Sequence, residues 1–228
     1  AEAAAPVAAA QGGQVSPGLH VPPTGPIRPL TAGMAEAGDR LPALRSLIAR
    51  AFAGRLDPAA VAAEVEAQFS AFIAAFGRPP DHVDGHQHVH VLPTVRPAVL
   101  EATRRHAPGA WLRDVTPAPA ALRGLDLKGR LIGAFGRGFA RDAAALGLAT
   151  SRGFAGAYDF GGDADFAGLL EHFLAGLPEG GVAMVHPGHV DAVLPTRDPL
   201  TTPRERELAV LGGAAFPALL ERAGVRLG

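Results

Sequence analysis

Residues 57 to 93 constrain the fold more than any other stretch of this chain. Asp57-Pro58 sets a carboxylate N-cap before a proline at the first helical position. Val61, Val65, Phe69, Phe72, Ile73 and Phe76 then recur on one face of a helix, and Gly77 closes it. Pro79 and Pro80 break the chain, and an extended segment from about His82 is stopped by Pro93. The same alternation of helix and strand continues along the sequence. Helices are expected over 41–52, 94–106, 128–146, 163–177, from Thr202, and over 214–223. Strands are expected near 15–21, 82–90, 110–115, 154–160, 181–185 and 225–227, and Ala1 to Ala10 reads as the tail of a helix. Such alternation implies parallel strands in βαβ units, with chemistry gathered at the carboxyl ends of the strands. There is no internal repeat and no linker long enough to divide the chain, so residues 1–228 read as one α/β domain.

The segment Asp81-His82-Val83-Asp84-Gly85-His86-Gln87-His88-Val89-His90 holds four of the nine histidines. In an extended strand alternate side chains share a face. His82, Asp84, His86, His88 and His90 would then form one row of imidazole and carboxylate. Those groups ligate Zn²⁺, Fe²⁺ or Mn²⁺, and carboxylate also suits Mg²⁺. The bland alternative is a solvated polar strand edge. A run of titratable groups in an otherwise apolar chain marks a site more often than an edge.

Two further segments stand at expected strand ends. Gly18-Leu19-His20 precedes a proline-rich loop and is weak alone, since a single histidine is more often structural than a ligand. Val185-His186-Pro187-Gly188-His189-Val190-Asp191 follows an apolar strand, and there His186 and Asp191 read as functional. The run Arg204 to Glu207 reads as a solvated helix face.

Hydrophobic residues make up 48% and charged residues 19% of the 228 residues, with a net charge of −1. That allows a substantial core and leaves no electrostatic footprint for nucleic acid. Cysteine is absent, which excludes disulfides, thiolate metal sites and cysteine nucleophiles. No apolar run approaches the roughly 20 residues that span a bilayer.

The three segments, in this order, resemble the YdjC-like carbohydrate deacetylase family, which includes the chitooligosaccharide deacetylases. The resemblance runs from about Gly18 to the C-terminus, and Phe154 to Pro187 looks closest to the branch associated with hopanoid lipids. It implies a distorted (β/α) barrel that hydrolyses acetyl groups from N-acetylated sugars or glycolipids. It implies a divalent metal at the strand ends, Mg²⁺ by family resemblance with Zn²⁺ as the alternative. His20 and His86 match the metal ligands. His82, Asp84 and His88 match positions beside the site. His186 matches the residue that assists the leaving group or the developing oxyanion. Arg113 and Asp191 match polar residues that orient it or bind sugar hydroxyls. The expected location is cytoplasmic, a homodimer is one open arrangement that the sequence does not decide, and neither a nucleic-acid partner nor a membrane span is expected.

The family opens with a strand ending in Asp-Asp-Phe-Gly, whose aspartates supply a third metal ligand and the general base. No such segment precedes His20, and Asp159-Phe160-Gly161 lies in the wrong place to replace it. The expectation is therefore a barrel without its first strand, and weak or absent turnover by this polypeptide. Two rival readings stay open. One is another metal-dependent barrel amidohydrolase with several histidines of the 82–90 cluster on the metal. The other is an inactive metal- or sugar-binding remnant.

Overall fold

A computed structural model describes residues 4–11, 13–118, 127–160, 164–196, 198 and 200–227. The chain forms two compact units, Ala1–Asp114 with Phe135–Thr150, and Val115–Ala134 with Ser151–Gly228. In chain order the first unit contains α1 (Ala4–Ala10), β1 (Gly18–Val21), α2 (Leu44–Phe52), α3 (Pro58–Phe76), β2 (His82–Gly85), α4 (Val95–His106) and β3 (Trp111–Leu112). Helix α5 (Leu127–Phe135) lies mostly in the second unit, and α6 (Phe139–Ala145) and β4 (Ala149–Thr150) return to the first. The second unit continues with β5 (Phe154–Ala155), α7 (Phe166–Leu174), β6 (Val182–Ala183), α8 (Thr202–Leu211) and α9 (Phe216–Ala223).

Strands β1, β2, β3 and β4 lie side by side in that order, all parallel. Strands β5 and β6 form a separate parallel pair. The expected parallel α/β architecture is present, as sheets of four and two strands, and the described pairings include none that closes a barrel.

Helix α3 forms as its sequence dictates. Asp57 Oδ1 accepts the Ala59 N–H at 2.9 Å, and Gly77 ends the helix at φ 68°. Val61, Val65, Phe69 and Phe72 are buried together with Glu64 and Gln68. Burying each large apolar side chain contributes about 1.5–3 kcal/mol. Its 19 residues are long and apolar enough to cross a membrane by length and composition, contrary to the expectation that no such run exists. Here the helix packs along α4 and against β1.

The sequence expectations fail where backbone conformation intervenes. The helix expected over 128–146 is two helices, because Gly138 takes φ 77° between α5 and α6. The strand expected over 154–160 ends after two residues at Gly156, φ 101°, where a Cβ would lie 2.2 Å from the Met184 carbonyl oxygen. Residues 225–227 are not a strand. The strand expected over 82–90 stops at Gly85. The chain turns through His86–Val91, with Gln87 at φ 51° and His88 at φ 63°. Two successive non-glycine residues in the left-handed region are rare and costly, and such strain clusters at functional sites.

The core of the second unit is built from Phe166, Leu170, Leu174 and Leu219, with Tyr158 and Val185 packed against it. Helix α7 is capped by Asp165, whose Oδ1 accepts the Gly168 N–H at 3.2 Å.

Candidate active site

Parallel pairing of β1 and β2 sets His20 opposite Asp84. His20 Nδ1 and Asp84 Oδ1 are 2.5 Å apart. An ionised carboxylate only accepts, so His20 Nδ1 carries a proton, and in the neutral tautomer of that form Nε2 presents a lone pair. That nitrogen lies 3.4 Å from His86 Nδ1, with the rings nearly perpendicular at 81°. Two imidazole ligands of one tetrahedral cation at metal–nitrogen distances of about 2.0–2.1 Å are separated by about 3.3–3.4 Å. The pair therefore has the chemistry and spacing of two ligands. Among the described residues no group of three or more His, Asp or Glu side chains is arranged to hold a metal ion.

Behind the pair stands Arg113, only 4% exposed. Its Nη1 is 3.0 Å from Asp84 Oδ2, and its Nη2 donates to the Gly85 carbonyl at 2.8 Å. Its own backbone N–H donates to the Val83 carbonyl at 3.1 Å, which ties the end of β3 to β2. Burial alone would raise the Asp84 carboxyl. The hydrogen bond from His20 and the Arg113 charge outweigh it and hold Asp84 well below the usual carboxylate range. Asp84 is thus a fixed anion that orients His20, the arrangement by which outer carboxylates set the tautomer of a ligating histidine.

The single row of imidazoles expected at 82–90 does not form, because the left-handed turn at Gln87 and His88 ends the period of two. His90 is instead fully buried beneath Gly85, edge-on to Phe139. Its Nε2–H donates to the Arg113 carbonyl at 2.8 Å, and burial with the Arg113 charge brings its pKa down to about 3. His90 Nδ1 is buried without a partner among the described residues. His88 is half-buried in the turn. His82 sits one row back along the sheet from Asp84, stacked on Trp111 at 4.7 Å and 15°. Burial lowers its pKa, against the pull of Asp84 and Asp81. Gly18 is the cradle for this ring, since a Cβ there would lie 2.1 Å from His82 Nε2.

The other motif belongs to the second unit. His186 follows β6, half-buried, with Phe160 edge-on at 5.3 Å and 87°. Its backbone N–H donates to Glu207 Oε2. Glu207 is fully buried, so the reading of 204–207 as a solvated face fails at that residue. Helix α8 turns Pro203 and Glu207, four apart, to the interior. Glu205 accepts the Val190 N–H at 2.7 Å, and Arg204 pairs with Asp198 at 2.6 Å. Asp191 is exposed, and its Oδ1 accepts the N–H groups of Val193 and Leu194 at 3.0 and 2.8 Å.

The structural roles of His90, expected in the ligand row, of Glu207, expected on a solvated face, and of Glu64 escape a reading of the sequence. Glu64 is buried on α3 and accepts from Leu30 N, Thr31 N, Thr31 Oγ1 and Gln68 Nε2 at 2.8–3.1 Å. It anchors the loop that follows His20. Its signal was available, because a carboxylate between Val61 and Val65 on an apolar helix face must find donors.

These features define a parallel α/β protein with a carboxylate-backed pair of imidazoles at the ends of its first two strands. The chain matches the family described as YdjC-like protein over residues 1–222, and it belongs to that family. It is 32% identical over 206 residues to a chitooligosaccharide deacetylase of Yersinia enterocolitica, covering 88% of this chain and 72% of that one. A chitooligosaccharide deacetylase of Yersinia pestis is 47% identical over 79 residues, 34% of this chain and 30% of its own length. A solved structure of a proposed cellobiose-phosphate cleavage protein from Enterococcus faecalis V583 has the same fold. It matches with a TM-score of 0.73 over 99% of this chain and 80% of its own, at 19% identity.

Proposed function

We propose that this protein is a metal-dependent hydrolase that removes acetyl groups from N-acetylated sugars or glycolipids. The observation that carries the reading is the His20–His86 pair, two ring nitrogens 3.4 Å apart with Asp84 and Arg113 fixing one of them. Relatives named chitooligosaccharide deacetylases support the substrate class.

His20 Nε2 and His86 Nδ1 would hold the cation, and two imidazoles suit Zn²⁺ better than Mg²⁺, which favours oxygen ligands. A divalent cation bound there would acidify water and polarise the acetyl carbonyl. Asp84 keeps the proton of His20 on Nδ1, so the ring presents a lone pair. Arg113 keeps Asp84 ionised and pinned between β2 and β3. His186 takes the part of proton donor to the departing amine. The rival amidohydrolase reading needs several histidines of the 82–90 cluster on one cation. The burial of His90 and the stacking of His82 on Trp111 favour the deacetylase over it.

Metal content and acetate release from N,N′-diacetylchitobiose test this on purified protein. His86→Ala and His20→Ala should each lose most bound metal and most acetate release. His106→Ala should keep both, because His106, at the end of α4, is paired with Glu66 of α3. Equal retention by all three variants would refute the assignment.

A further inference from the structure

Glu207 lies inside the second unit, 0% exposed. Its two carboxylate oxygens serve two different partners. Oε1 accepts the Tyr158 hydroxyl at 2.7 Å, and Oε2 accepts the backbone N–H of His186. Burial and this carboxylate together push the Tyr158 hydroxyl above its ordinary pKa, so it stays a donor. Packing does not call for a carboxylate at this position. The neighbourhood is the apolar cluster of Phe166, Leu170, Leu174 and Leu219, to which Tyr158 and Val185 also belong. An acid survives in such surroundings only when its oxygens are bonded.

We propose that Glu207 is the positioning residue for His186. The carboxylate fixes the His186 backbone, and Phe160 walls one side of its ring. A residue with its main chain pinned and its ring walled has few rotamers left. Tyr158 completes the arrangement by fixing the carboxylate itself. The inference rests on the proposed role of His186 as proton donor and deepens it. Glu207 touches no substrate and moves no proton. It determines where the His186 proton is delivered, and misplacing a reacting group by about 1 Å costs on the order of 10²-fold in rate.

The test compares wild type with Glu207→Ala, Glu207→Gln and Tyr158→Phe. Glutamine conserves both contacts, because its amide oxygen accepts the His186 N–H and its amide N–H donates to the tyrosine oxygen. Amide hydrogen exchange at His186 should speed by about tenfold or more in Glu207→Ala and stay near wild type in Glu207→Gln. The kcat for acetate release should fall on the order of 10²-fold in Glu207→Ala, with KM within about twofold and metal content unchanged. Glu207→Gln should stay within about threefold of wild type, and Tyr158→Phe should fall between the two. Slow exchange at His186 in Glu207→Ala overturns the proposal, as does fast exchange with full kcat. If Glu207→Ala does not fold, Glu207→Gln decides: a collapse of kcat with protected His186 shows a need for charge and overturns positioning. Wild type that releases no acetate sinks the deacetylase reading and the catalytic half of the inference, whereas the exchange rates still decide the contact.

Discussion

Acidification should destabilise this protein through His90, by an amount that follows from its burial. His90 is 0% exposed, and its Nε2–H is held by the Arg113 carbonyl at 2.8 Å. Burial and the Arg113 charge bring its pKa down to about 3, against about 6.5 in an unfolded chain. The folded value is the lower one, so the stabilising contribution is complete above about pH 6.5 and is lost as pH falls toward about 3. Within that window the unfolded chain binds one proton that the folded protein refuses. The slope is about 1.4 kcal/mol per pH unit, or about 2–3 kcal/mol between pH 6.5 and pH 4.5. Asp84 is also depressed, but its window opens only below about pH 4. His82 shifts in the same direction as His90 and is common to the two proteins compared. His90→Gln keeps a side-chain N–H for the Arg113 carbonyl and removes the titration. Urea unfolding of both proteins between about pH 7 and about pH 4.5, with EDTA throughout, measures the difference. Wild type should lose about 2–3 kcal/mol more than the variant. Stability curves that run parallel within about 0.5 kcal/mol would refute a buried neutral histidine here.

Gly18→Ala should lose about 1–3 kcal/mol, because the new Cβ meets a His82 ring that Trp111 prevents from retreating. Trp111 is the single tryptophan, so its emission should shift in the folded variant, and unchanged emission at full stability would count against the stack. Arg113→Met should cost about 3–5 kcal/mol by taking the guanidinium from the Asp84 carboxylate, which then keeps only its His20 contact among those described, and adding Asp84→Asn should recover part of it. Losses that simply add in the double variant would show that the two residues are not coupled.

Helix α3 is legible in the sequence because cap, first-turn proline, apolar spacing and terminal glycine all agree. The parallel sheet is legible for the same reason, since helix and strand signals alternate. The partnership of His20 with Asp84 is not, because register between strands more than 60 residues apart leaves no local mark. The row of histidines misleads because a period of two requires extended backbone, and no glycine announces the left-handed turn at Gln87 and His88. Glu207 is concealed by its neighbours Arg204, Glu205 and Arg206. Helical spacing from Pro203 would have pointed it inward, but two residues are too short a stripe to outweigh a charged run.

The two units alternate along the chain, since residues 135–150 rejoin the first after 115–134 have entered the second. No single cut separates them. Truncation after Asp114 would strip away α6, whose Asp142 pairs with Arg96 at 3.0 Å, together with β4. A nascent polypeptide must therefore reach residue 150 before its larger sheet has all four strands. Until then the outer edge of β3 presents unpaired backbone groups to any neighbouring chain.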